Sequence, residues 1–319
     1  MTSRESFNAF VGQAWQYFLL QESKKPQQQW SRSQVLRQLY AYASAPVGPA
    51  GVKNPLTPPA LYESMVLYMG ATIPYSIKLQ KSSPWLSIPA AMNNAIIADY
   101  TKLANGQAPV YQSADERLAV QKLPTGYLHV YPTTPMAGND WRIALNVEPV
   151  SMADAIRLFK PLLGERTDIN HIKFLGPGSA GKCDTALVYL KKVEGRYDAL
   201  RDRIVAIAGQ LQLQDAVGGI WNEYAPGIAE ASEPPKTLGL YASFTSYRCI
   251  VVCLAYIAYR QHAGQKRVFD DYFDLLGQVM ALFGLDIEVP YIQEPIPGSL
   301  SGQYKSYLDA YLALKEAWT

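Results

Sequence analysis

His171 and Lys173 stand two residues apart in the stretch His171–Leu190, HIKFLGPGSAGKCDTALVYL. On a strand, side chains two apart leave the same face. A histidine beside a lysine is a titratable pair. A buried lysine near another cation can lose its proton and act as a base. Downstream, Gly176, Pro177, Gly178 and Gly181 supply a turn that also carries Lys182. Asp184 and Thr185 then open Ala186–Leu190, an apolar run rich in β-formers that places Tyr189 near its end. Asp184 is suited to hold the loop through backbone N–H groups or to orient a basic side chain. Gly176–Lys182 also fits G-x-x-x-x-G-K, the start of a phosphate-binding loop. That motif needs Ser or Thr next and a helix behind it. Here Cys183 and a strand follow, so the nucleotide reading is the weaker one.

The elements that must position these residues follow from the patterning. The first hundred residues read as helical. Phe7, Phe10, Val11, Ala14, Tyr17 and Phe18 recur at helical spacing, and Ser31 or Ser33 can cap a second helix to about Ala43. Helices are also expected near Ala60–Met69, Pro89–Ala104 and Ser113–Val120. Tyr127–Tyr131 and Trp141–Val147 read as two strands of a long-looped hairpin. Ser151 is placed to cap a helix ended by Gly164, and further helices are expected over Tyr197–Leu213, Tyr241–Gln261, Phe269–Phe283 and Tyr304–Trp318. Gly218–Pro235 reads as a loop. The fold class is α+β, a small antiparallel sheet packed with helices and preceded by an all-helical region. The expected domains are 1–106, helical, and 107–319, α+β.

Composition narrows the function classes. The chain has 319 residues, 49% of them hydrophobic, enough for a full core. A net charge of +2 gives no argument for nucleic acid or a membrane surface. Cys183, Cys249 and Cys253 are an odd number, against a disulfide framework and in keeping with a reducing compartment. With three histidines and no zinc spacing, no metal and no cofactor are expected. Arg4 and Glu5 lead directly into an amphipathic pattern without a signal peptide, and Ile250–Tyr259 is too short to span a bilayer. The expected location is the cytoplasm.

Five segments add a resemblance. They are Arg142-Ile-Ala-Leu-Asn-Val-Glu-Pro, Lys173-Phe-Leu-Gly-Pro, Asp184-Thr-Ala-Leu-Val-Tyr189, Ala225-Pro-Gly-Ile-Ala-Glu-Ala-Ser-Glu-Pro and Ser246-Tyr-Arg248. In order and spacing they resemble the HopA-type effector family. That family comprises type III effectors of plant pathogens and stand-alone lyases of class V lanthipeptide maturation. The resemblance covers roughly Tyr127–Pro290. Trp141–Val147, Ile172–Phe174, Leu187–Leu190 and Ser246–Arg248 are also similar, more weakly, to the phosphothreonine lyases OspF and SpvC. Those enzymes eliminate phosphate from phosphothreonine with a lysine base, a histidine acid, a tyrosine and phosphate-binding arginines. The resemblance implies Lys173 as base, Tyr189 as the tyrosine and Arg248 as a phosphate arginine. Arg142 occupies the position of the acid histidine, which leaves the general acid open.

Elimination needs a base for the α-proton and cations for the departing phosphate. Lys173, Tyr189 and His171 are the catalytic candidates. Arg142, Arg248, His129 and Lys182 are the phosphate-binding candidates, with Asp184 in support. Each also has a structural reading. A strand lysine often snorkels, Tyr189 packs in a core, and Arg142 pairs with Asp140 or Glu148. Arg248 caps or salt-bridges, and Lys182 is solvated. The expected function is a phosphoserine/phosphothreonine lyase acting on a precursor peptide to give dehydroalanine or dehydrobutyrine. Its partners would be that phosphorylated peptide, a separate kinase and a cyclase, with no nucleic acid and no membrane. The alternative is a non-enzymatic effector that binds a host immune protein. Such effectors usually open with a polar, Ser-rich secretion signal, whereas here an amphipathic pattern starts within a few residues of Met1.

Overall fold

The computed structural model describes residues 3–24, 30–44, 76–79, 127–131, 138–148, 151–165, 168–175, 183–215, 218–235, 243–262, 266–296 and 305–309. The fold class is α+β. Residue contacts group the chain into two compact units that do not follow chain order: 1–47 with 217–224 and 229–319, and 48–216 with 225–228. The helices expected over Ala60–Met69, Pro89–Ala104 and Ser113–Val120 lie outside the described residues.

The first unit is built on four helices: α1 (Ser3–Lys24), α2 (Arg32–Ser44), α5 (Phe244–His262) and α6 (Phe269–Leu282). In α1 the buried Phe7, Phe10, Val11, Ala14, Trp15 and Phe18 form a 3.6-period stripe. Ser31 caps α2, accepting the Gln34 N–H at 3.3 Å. Helix α5 is buried on every side from Tyr247 to Tyr259, in keeping with its mostly apolar sequence. Trp15 stacks on Tyr272 at 5.2 Å and meets Tyr256, Tyr259 and Phe269 edge-on. Phe18 stacks on Tyr256 at 4.2 Å. These rings are core, the expected role of the N-terminal aromatics. Glu22 on α1 pairs with both Arg260 and Arg267. Burial and the neighbouring Arg267 push the Arg260 pKa down. Of the expected C-terminal helix, residues 305–309 are described and are helical.

The second unit is a sheet of β1 (Ser76–Leu79), β2 (Tyr127–Tyr131), β3 (Trp141–Leu145), β4 (Ile169–Leu175) and β5 (Ala186–Leu190). Their order is β1-β2-β4-β5-β3, each neighbour antiparallel. Two expectations change. β2 and β3 do not form a hairpin, because β4 and β5 lie between them. β1 is a strand that the sequence pattern does not announce. The alternation is clean. Trp141, Ile143 and Leu145 align with Leu190, Val188 and Ala186, and the latter two with Ile172 and Phe174. That apolar face receives helices α3 (Met152–Glu165) and α4 (Tyr197–Ala208), with Trp141 Nε1 donating to the Tyr197 hydroxyl at 2.8 Å. Helix α3 runs through Gly164, where an end was expected. Helix α4 stops at Ala208, before the expected Leu213. The Ser151 hydroxyl accepts the Gln212 N–H at 3.1 Å.

Gly218–Pro235 is a further correction. It holds two short strands, β6 (Asn222–Ala225) and β7 (Ile228–Ser232), turned by Pro226-Gly227. Gly227 has φ +69°, the left-handed value that glycine adopts without penalty.

Candidate functional site

The face of the sheet opposite α3 and α4 carries several of the candidate residues. Sheet register lines up Arg142 on β3, Tyr189 on β5 and His171 on β4. Directly opposed residues of an antiparallel pair share a face, so the three form one row across the strands. Their side chains touch. The His171 imidazole lies parallel to the Tyr189 ring, centroids 4.1 Å apart and planes 9° from parallel. The Arg142 guanidinium carbon sits 4.9 Å from the Tyr189 centroid, within cation–π range. Exposure is 4% for Arg142, 9% for Tyr189 and 9% for His171. Desolvation strengthens the electrostatics of such a row.

Lys173 occupies the adjacent row. It is half-buried, two residues past His171 on β4, opposite Leu187 on β5 and His129 on β2. Lys78 on β1 stands opposite His129 in the next register pair. One sheet thus aligns the positions of Lys173, His129 and Lys78 beside the Arg142–Tyr189–His171 row.

Arg248 and Asp184 do not belong to those rows. Arg248 belongs to the helical unit, where it is 1% exposed. Its Nε donates to the Pro290 carbonyl at 2.8 Å, its Nη1 to the Phe244 carbonyl at 3.4 Å, and its guanidinium lies 3.8 Å from the Phe244 ring centroid. These contacts give it a structural role within that unit. Lys182 and the Gly176–Lys182 motif lie outside the described residues. Asp184 is buried, and its Oδ1 has no hydrogen-bond partner among the described residues. Burial and the Asp184 charge push the neighbouring Cys183 thiol up, which keeps it protonated. Asp140 forms an ion pair with Lys191 and accepts the Lys192 N–H at 2.7 Å.

The geometry can bind an anion and host a proton transfer. Arginine and histidine favour a phosphate, and a neutral lysine amine can accept a proton. The sequence reading did not find Asn170, which contacts His171 through a local irregularity of β4. An asparagine beside a histidine in a strand gives no signal, because neighbours on a regular strand face opposite ways.

No protein-family model and no curated protein matches the chain. Solved structures do, two effector proteins among them. The effector protein from Pseudomonas syringae pv. tomato strain DC3000 aligns with TM-score 0.61 and 16% identity, over 92% of this chain and 99% of that one. The effector protein from Pseudomonas syringae pv. syringae strain 61 aligns with TM-score 0.59 and 15% identity, over 92% and 100%. The chain has the fold of these effector proteins. At such low identity, the effector fold leaves the site residues to be argued from their own geometry.

Proposed function

We propose that the protein is a phosphoserine/phosphothreonine lyase. It takes the α-proton of a phosphorylated residue in a precursor peptide and expels phosphate, leaving dehydroalanine or dehydrobutyrine. One observation carries the reading: a half-buried Lys173 on the same sheet face as the stacked Arg142–Tyr189–His171 row. In this reading the neutral Lys173 amine accepts the Cα proton. The C–H electrons form the alkene, and the Cβ–O bond breaks toward phosphate. Arg142 receives the leaving group, and Tyr189 keeps Arg142 and His171 in place. The step requires a neutral amine, the form that burial and nearby positive charge favour in a lysine. The resemblance to HopA-type lyases supports the same assignment of Lys173 and Tyr189. A kinase would supply the phosphorylated peptide and a cyclase would consume the alkene. The cytoplasm, where both would work, is the proposed location. Among the described residues no helix is long and apolar enough to cross a membrane.

The second reading is a binding protein that recognises a host protein without chemistry. The two effector structures of the same fold favour it. Mass spectrometry of a phosphothreonine peptide incubated with the protein separates the two. Loss of phosphoric acid, leaving a product that adds thiols, supports the lyase. Recovery of the hydroxyl means a phosphatase. An unchanged peptide, also in the presence of a kinase and its precursor, favours the binding protein. Lys173→Ala should lower elimination by at least about 100-fold with an unchanged circular dichroism spectrum. Full activity in that variant ends the assignment.

A further inference from the structure

The strand that carries His171 is irregular at the residue before it. Ile169 pairs with Leu190 and His171 with Tyr189, so two steps along β4 match one along β5. Asn170 is the extra residue of a β-bulge. Bulges re-aim side chains, and they recur beside active sites. On a regular strand Asn170 and His171 would face opposite ways. Here the Asn170 Oδ1 lies 2.8 Å from the His171 Nδ1.

The direction of that bond follows from the other end of the amide. The Asn170 Nδ2 donates to the Gly138 carbonyl at 3.4 Å. Turning the amide over would set its oxygen against the Gly138 oxygen, two acceptors face to face. The oxygen therefore faces the histidine, and a carboxamide oxygen only accepts. His171 Nδ1 must carry the hydrogen. A free imidazole prefers its hydrogen on Nε2, and a fixed partner can reverse that preference.

We infer that Asn170 is a positioning residue that locks His171 in the Nδ1–H tautomer, so that any proton His171 exchanges moves at Nε2. The parallel stack on Tyr189 fixes the plane of the ring, and the amide fixes its rotation about that plane. Together they fix the orientation of the ring. The catalytic part of this inference rests on the lyase reading; the tautomer does not.

Two-bond 1H–15N correlation spectra of the labelled protein read the tautomer without substrate. The His171 signals are assigned by their loss in His171→Gln. The parent should show a protonated Nδ1 and an unprotonated Nε2 at a pH where the ring is neutral. Asn170→Leu should return the ring to the Nε2–H form, and Asn170→Asp, which keeps an acceptor, should retain Nδ1–H. An Nε2–H ring in the parent, or an Nδ1–H ring surviving in Asn170→Leu, overturns the lock. In the elimination assay Asn170→Leu should lose about 10-fold or more, within the range of general acid–base effects, and Asn170→Asp should recover most of it. Parent turnover in an Asn170→Leu protein whose tautomer has changed overturns the positioning role. A parent without elimination fails the lyase reading and leaves the tautomer result standing.

Discussion

At the scale of residues, the Arg142–Tyr189–His171 row separates packing from chemistry. Tyr189 is flanked by an imidazole and a guanidinium, and both contacts use its ring. Tyr189→Phe keeps that ring, so the melting temperature should move by less than a change of about 1 kcal/mol implies. A fall in elimination without a fall in melting temperature assigns the hydroxyl to the chemistry; unchanged elimination limits Tyr189 to holding its neighbours. The residue types were legible in the sequence. His171 and Lys173 stand two apart on a strand, as their spacing required, and Tyr189 falls in the next strand. The contact of Arg142 with Tyr189 was not legible, because register between β3 and β5 joins residues 47 positions apart in number and no local pattern encodes it.

At the scale of elements, the turn Pro226-Gly227 shows how a loop-like composition hides strands. Neither NEYA nor IAEAS is rich in β-formers, and each is only four or five residues long. Their pairing is set by the turn. A Cβ on Gly227 would stand 2.4 Å from the Gln214 carbonyl oxygen, and φ is +69°. The Gly227 carbonyl also accepts the Asn146 N–H at 2.8 Å, directly after β3. Gly227→Ala should therefore cost about 1–3 kcal/mol from backbone strain, with the steric conflict adding to it. Chemical denaturation measures this; a loss under about 0.5 kcal/mol would show that the turn relaxes freely. The Thr185 hydroxyl lies 3.0 Å from the carbonyls of both Leu145 and Val147, which ties the start of β5 to the end of β3 by a polar contact that hydrophobic patterning does not register.

At the scale of the whole molecule, the chain returns on itself to complete its helical unit. Helices α1 and α2 pack with α5 and α6, more than 200 residues later, around Trp15, Trp30, Tyr256 and Tyr272. This unit buries Cys249, Cys253 and Tyr272. Burial is the first cause that raises each of their pKa values, to about 12 for Cys253. Below the ordinary pKa values these groups are protonated in both the folded and unfolded chains, and they give no pH dependence. Above about pH 9 the unfolded chain releases protons that the folded chain still holds, so stability falls as pH rises. The slope is about 1.4 kcal/mol per pH unit for each group. Thermal melts between pH 8 and 11 should show a falling melting temperature; a flat profile would mean the thiols and phenol are not buried together.

What the sequence determined by itself was the list of elements whose signal is local. Periodicity located α1, α2, α5 and α6, alternation and composition located β4 and β5, and residue type selected Lys173, His171 and Tyr189 as the titratable set. Local patterns have this power because helix and strand periods follow from backbone geometry alone. Only the tertiary structure decided the order β1-β2-β4-β5-β3, the row that sets Arg142 against Tyr189, the bulge at Asn170 and the burial of Arg248 among Phe244 and Pro290. Each depends on which distant segments meet. That choice rests on the burial of two faces at once, which no window of neighbouring residues contains.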